Sequence, residues 1–249
     1  MPSEKKLKHF IKKRLKHLQL HLYSYCQGGD VEQLHKLRVE IKKVKSVVRF
    51  VDDCTNSHLN KQLKPLKLIF EKAARIRNTH ITLELCTTNG SKQFLARQQH
   101  LALSRYSQFA KEYETMRVQL EVLAARLPAE LSTIVKRKSN KWSSKQLKKT
   151  EQKLLAGALQ YHNARKIIKR LLHINTMQPI KPTLNKNHLE QLEKVIGDWH
   201  DLKITAAVAK RSQALSPKLK AQLKKEETRL LNEIEKGRQS FSQQVTAKK

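Results

Sequence analysis

At 249 residues, 39% of them hydrophobic, the chain has apolar material for one large domain or two small ones and should fold around a buried core. Its 52 Lys and Arg face only 21 Asp and Glu, a formal charge of +31, while six Gly and six Pro are too few to punctuate a strand-rich fold. The three cysteines, Cys26, Cys54 and Cys86, are odd in number and too far apart for a zinc knuckle or a redox pair, which argues against a disulfide framework and for a reducing, cytoplasmic setting.

The chain opens on MPSEKKLKHFIKKRLKHLQLHLYSY, whose apolar spacing predicts a basic amphipathic helix over residues 4–26. It lacks the continuous apolar run of a secretory signal, though a transit peptide or a membrane-surface helix over 5–20 remains an alternative. After QGGD a second helix is expected over 31–53, then one over 60–86 that carries RIRNTHIT, and beyond TTNGSK a long one over 92–126. KRKSNKWSSK at 136–145, preceded by Pro128, is the longest stretch without periodicity and divides the chain near its middle. Helices over 145–175, 186–213 and 217–240 follow, separated by MQPIKPTLNKN and LSPK. No stretch has membrane-spanning length, so no transmembrane segment is expected. The fold class is all-α.

The two halves repeat one another. LHKLRVEIKKVK at 34–45 has a counterpart in YHNARKIIKRLL at 161–172, which pairs His35 with His162, Arg38 with Arg165, Lys42 with Lys169 and Lys43 with Arg170. RIRNTHIT at 75–82 aligns with DWHDLKIT at 198–205, so Arg77-Asn78 lies over His200-Asp201. Two matches in the same order predict an internal duplication, with halves 1–127 and 128–249.

On a wheel advancing about 100° per residue, Arg38, Lys42, Lys45 and Arg49 fall within roughly 80° of His35, with Leu37, Ile41, Val44, Val48 and Val51 opposite. The cations line up without an interleaved acid, and the row should be removable without disturbing the apolar packing. One such face on an average helix is ordinary solvated surface. Here the row recurs beside His162, and self-repulsion at this net charge favours a bound anion.

The kind of polyanion follows from what is missing. There is no zinc-finger spacing, basic zipper or clear helix-turn-helix, as sequence-specific DNA readers carry. Aromatic residues are 5% of the chain, and none interleaves on the cationic face of either histidine motif, where a single-strand binder would stack bases. Cations without stacking platforms suit a ligand that is all phosphate.

The H-x-x-R-x-x-x-K-[KR] helix, present twice and followed each time by an [RH]-[DN] pair, resembles the conserved histidine α-helical domain, the CHAD family, from about residue 4 to 240. The resemblance implies two pseudo-symmetric four-helix-bundle halves with a basic surface that binds inorganic polyphosphate. It assigns His35, Arg38, Lys42, Lys43 and Lys45 to the first row, beside which the wheel places Arg49, and His162, Arg165, Lys169 and Arg170 to the second. Arg77 stands where the second motif has its arginine. The family's G-x-x-R-D pattern is altered in both halves: Ala74 to Asn78 loses the glycine and the aspartate, whereas the second half keeps Gly197 and Asp201 but has His200 in the arginine's place. The family often accompanies a triphosphate-processing domain, whose strand-borne tunnel has no counterpart here.

Other chemistries fare worse on the same residues. Asp198, His200 and Asp201 read as capping or ion-pairing groups rather than a metal cluster, and His35 lacks the glycine that usually follows a phosphotransfer histidine. No Ser or Cys sits in a motif with a base and an orienting group, and the cationic face lacks the carboxylates that would hold Mg²⁺. The expected function is therefore polyphosphate binding without catalysis, cofactor or metal, in the cytoplasm and in association with polyphosphate granules. Nucleic acid is the expected competitor, sequence-independent nucleic-acid binding the alternative function, and polyphosphate-associated proteins are the expected partners.

Overall fold

The computed structural model describes residues 4–131, 136–177, 179–213 and 216–245, and these form ten α-helices and one 3-10 turn. In chain order they are α1 (Glu4–Gly28), α2 (Val31–Thr55), the turn (Leu59–Leu63), α3 (Lys64–Cys86), α4 (Lys92–Lys111), α5 (Tyr113–Arg126), α6 (Lys136–Leu155), α7 (Ala158–Met177), α8 (Lys186–Arg211), α9 (Pro217–Gln239) and α10 (Phe241–Gln244). None of them is long and apolar enough to cross a membrane.

The chain divides into two compact units, Met1–Thr79 with His100–Ser139, and His80–Gln99 with Asn140–Lys249. It leaves the first unit along α3 and returns to it along α4. In the first unit α1 buries Leu7, Ile11, Leu15, Leu18 and Leu22 at helical spacing against α2, which contributes Leu37, Ile41, Val44, Val48 and Val51. Two local devices fix the ends of α2. The Asp30 side chain accepts the Glu32 N–H at 2.9 Å, and Asn56 closes the helix in the left-handed conformation, φ 59°. The Asp52 carboxylate then accepts the N–H groups of Leu59 and Asn60 at 2.7 and 2.8 Å and turns the chain toward α3.

In the second unit α7 and α9 both pack on α8, burying Ala164, Ile168 and Leu171, Leu189, Leu192 and Ile196, and Leu219, Leu230 and Ile234. Asn185 and Ser216 start α8 and α9 by accepting the N–H of His188 and Leu219 at 3.2 and 3.1 Å.

Three expectations are corrected. The helix expected over 92–126 is two, α4 and α5, parted at Glu112, which forms an ion pair with Lys72 of α3. The helix expected over 145–175 is also two, parted at Gly157, whose φ of +80° a side chain rarely adopts. The stretch 136–145 is not a linker but the start of α6. That helix buries Ser139, Trp142, Ser143, Gln146, Leu147, Thr150 and Leu154, a helical face whose polar members conceal its period. The Ser143 hydroxyl hydrogen-bonds the carbonyls of Asn140 and Lys181, and that of Thr150 donates to the Gln146 carbonyl, so these buried hydroxyls are satisfied.

Candidate functional site

In the first unit the row on α2 meets a ring that the motif spacing does not include. Phe70 of α3 lies with its centroid 4.4 Å from the Arg38 guanidinium carbon, 5.2 Å from Lys45 Nζ and 5.7 Å from Lys42 Nζ, so three cations converge on one phenyl ring. Arg38 also donates from Nη1 to the Phe70 carbonyl at 3.3 Å. Arg38 is only 8% exposed, which corrects the expectation that the row can be removed without touching the packing. On the wheel it borders the apolar stripe, and α3 covers that border. Lys42 and Lys45 are half-buried, and His35 and Arg49 are exposed.

Lys43 points elsewhere. Its Nζ lies 2.8 Å from Oε1 of Glu40, a buried carboxylate that Arg14 of α1 also contacts at 3.2 Å. The structure therefore groups Lys43 with Arg14 and Glu40 rather than with the Phe70 cluster. Arg77, half-buried on α3, lies two turns beyond Phe70.

The second unit builds its row differently. Arg165 Nε and Lys169 Nζ, one turn apart on α7, both lie 2.7 Å from Oε1 of Glu193 on α8. Here an acid joins the row, and it comes from the neighbouring helix. Burial pushes the Glu193 carboxyl up, but the charges and hydrogen bonds of Lys169 and Arg165 outweigh that and hold it below the ordinary carboxylate value. One turn on, Gly197 leaves a notch for Arg165. A Cβ there would sit 2.4 Å from Arg165 Nη2 and 2.6 Å from its guanidinium carbon.

His162 stacks on His200, with centroids 3.9 Å apart and planes at 26°. Two of the expected site residues, one from each motif of the second half, are thus brought into contact. Burial foremost, then the neighbouring His200, Lys166 and Arg165, push His162 down to about 4, against a smaller opposing effect of Asp201. Its Nδ1 is buried without a hydrogen-bond partner among the described residues. Tyr161 packs edge-on against Trp199, 5.9 Å between centroids. Arg170 is half-buried beside Lys169. Asp198 pairs with Lys194 at 2.9 Å, and among the described residues no group of three or more His, Cys, Asp or Glu is placed to hold a metal ion.

Phe70 and Glu193 are the residues that the motif reading missed. They occupy matching places, each one turn before the altered glycine motif at Ala74 and Gly197, and extending the alignment of 75–82 with 198–205 by five residues reaches both. Chemically the two clusters offer convergent Lys, Arg and His groups, which bind anions by charge and by charge-assisted hydrogen bonds.

The family model for the CHAD domain matches residues 9–210. Among solved structures, the chain is similar to the crystal structure of the CHAD domain from the plant Ricinus communis, with 14% identity, a TM-score of 0.70, and 95% of this chain and 91% of that one covered. It is also similar to PptA from Streptomyces chartreusis, with 16% identity, a TM-score of 0.67, and 98% and 99% covered. A search of curated proteins finds no match. A family model that spans most of the sequence, over an all-helical fold shared with a solved CHAD domain, makes this chain a member of the CHAD domain family.

Proposed function

We propose that the chain binds inorganic polyphosphate through the cationic rows of α2 and α7, without catalysing a reaction on it. The observation that carries this reading is the convergence of Arg38, Lys42 and Lys45 on the single ring of Phe70. Cations held this close repel one another, and a chain of phosphates relieves that repulsion at every monomer. The recurrence of His, Arg and Lys at matching places on α7 supports a duplicated helical unit with both halves contributing. Each bound phosphate releases small counterions, so affinity should fall steeply with salt. Membership of the CHAD family supports the choice of ligand, and association with polyphosphate granules and their proteins belongs to the same proposal.

Nucleic acid offers the same charge along a bulkier polymer. Titration with long-chain polyphosphate and with duplex DNA, at equal phosphate concentration and several salt concentrations, separates the two. Tighter binding of polyphosphate throughout supports the proposal. Equal affinity at every salt concentration overturns it and leaves a sequence-independent nucleic-acid binder.

A further inference from the structure

The two halves hold their matching arginines in different ways. Arg38 lies over an uncharged ring, Phe70, whereas Arg165 lies against a carboxylate, Glu193, at the corresponding place. Ala74 stands where Gly197 opens the notch that seats Arg165. The Glu193 side chain is 15% exposed and takes both Arg165 and Lys169 on one oxygen at 2.7 Å, so the pairing is largely shielded from solvent and salt.

We propose that Glu193 is a built-in counter-anion that occupies the cations of α7 until a phosphate polymer displaces it. This rests on the polyphosphate reading and adds to it a discrimination between ligands. Glu193 is held in place by α8, so its effective concentration at Arg165 and Lys169 far exceeds that of a dilute free anion. Orthophosphate must replace two charge-assisted bonds at a single centre and gains little. A polymer can put one phosphate in place of the carboxylate while its neighbouring phosphates engage further cations of a chain whose formal charge is +31, a contact that a single phosphate does not have. The second row therefore selects for polymeric phosphate.

Two substitutions open the pairing by different routes. Glu193→Gln keeps the shape and removes the charge. Gly197→Ala puts a methyl group into the notch and forces the Arg165 guanidinium off the carboxylate, while alanine favours the helix. Polyphosphate and orthophosphate are titrated calorimetrically into the full chain and each variant, with folding checked by circular dichroism. Both variants should bind polyphosphate more tightly than the parent by roughly five- to 150-fold, the usual size of a coupling between two binding events. Orthophosphate should gain by a larger factor, so that the preference for polymer narrows. The gain should vanish when Arg165→Ala and Lys169→Ala are added. A folded Glu193→Gln chain that binds polyphosphate no better than the parent, or more weakly, overturns the proposal and makes Glu193 a scaffold for the row. If Glu193→Gln does not fold, the Gly197→Ala chain decides by the same criterion. A parent chain that binds DNA and polyphosphate alike overturns the functional reading instead, whatever the variants do.

Discussion

Phe70 and His162 show how single neighbours set the properties of residues that the motif spacing singles out. The Phe70 ring attracts three cations, each cation–π interaction of this kind being worth about 0.5–1 kcal/mol where solvent still reaches it. Phe70→Leu keeps apolar bulk and loses the ring face, so urea denaturation should show a loss on the order of 1–2 kcal/mol. For His162, burial lowers the folded-state value from the ordinary 6.5 to about 4. Between those values the unfolded chain holds a proton that the folded chain does not, so stability is full above pH 6.5 and is lost as pH falls toward 4. The loss, discounted for partial exposure, is on the order of 1–2 kcal/mol, and His162→Gln should remove it, as urea midpoints at pH 7 and pH 5 will show. A bound polyanion favours the protonated ring, so affinity should rise as pH falls, and Gln at 162 should weaken that dependence. The motif spacing made His162, Arg165 and Lys169 legible, and the cations around His162 already favour its neutral form; the burial that lowers it most was not legible, because it comes from packing that a motif does not show.

At the scale of elements, α6 marks the limit of hydropathy. Helices α1, α2, α8 and α9 were legible because Leu, Ile and Val recur along one face, bounded by Asp30, Asn185, Ser216 and Asn56. Over 137–145 the buried positions are Ser139, Trp142 and Ser143, and a polar residue signals burial only when its hydrogen-bond partner is known. The second partner of Ser143, the Lys181 carbonyl, is supplied by the segment between α7 and α8. Ser143→Ala should therefore cost about 1–3 kcal/mol in a urea titration by stranding that carbonyl. An exposed linker serine in the same place would cost nothing, and a neutral result would contradict the packing of α6.

For the whole molecule the dominant fact is the charge of +31, which opposes compaction and attracts any polyanion. Whether the rows act as a site or only add to that charge is tested by matched pairs. Lys42→Ala with Lys45→Ala removes two cations beside Phe70 and leaves the buried Arg38 in place. Lys248→Ala with Lys249→Ala removes the same charge from positions outside the described residues. The first pair should cost about 1.5–3 kcal/mol of polyphosphate affinity for each charge-assisted bond it removes and flatten the dependence of log affinity on log salt by on the order of 0.7–0.9 per cation. The tail pair should change little. Superimposable binding curves for the two pairs would reduce the rows to a diffuse cationic surface. Arg165→Ala with Lys169→Ala carries a second consequence, since it leaves Glu193 without the two cations beside it and should lower the stability of the unbound chain as well.

The sequence by itself determined the helical class, most helix boundaries, the excess of cations and the doubled motif, because each is a local property of composition, period or spacing. Only the tertiary structure decided which cations share a neighbour. Arg38, Lys42 and Lys45 gather on Phe70, and Arg165 and Lys169 close on Glu193. A helical period fixes the direction of a side chain around its own axis to within part of a turn. The residue that meets it comes from another turn or another helix, and the packing of the helices selects that residue.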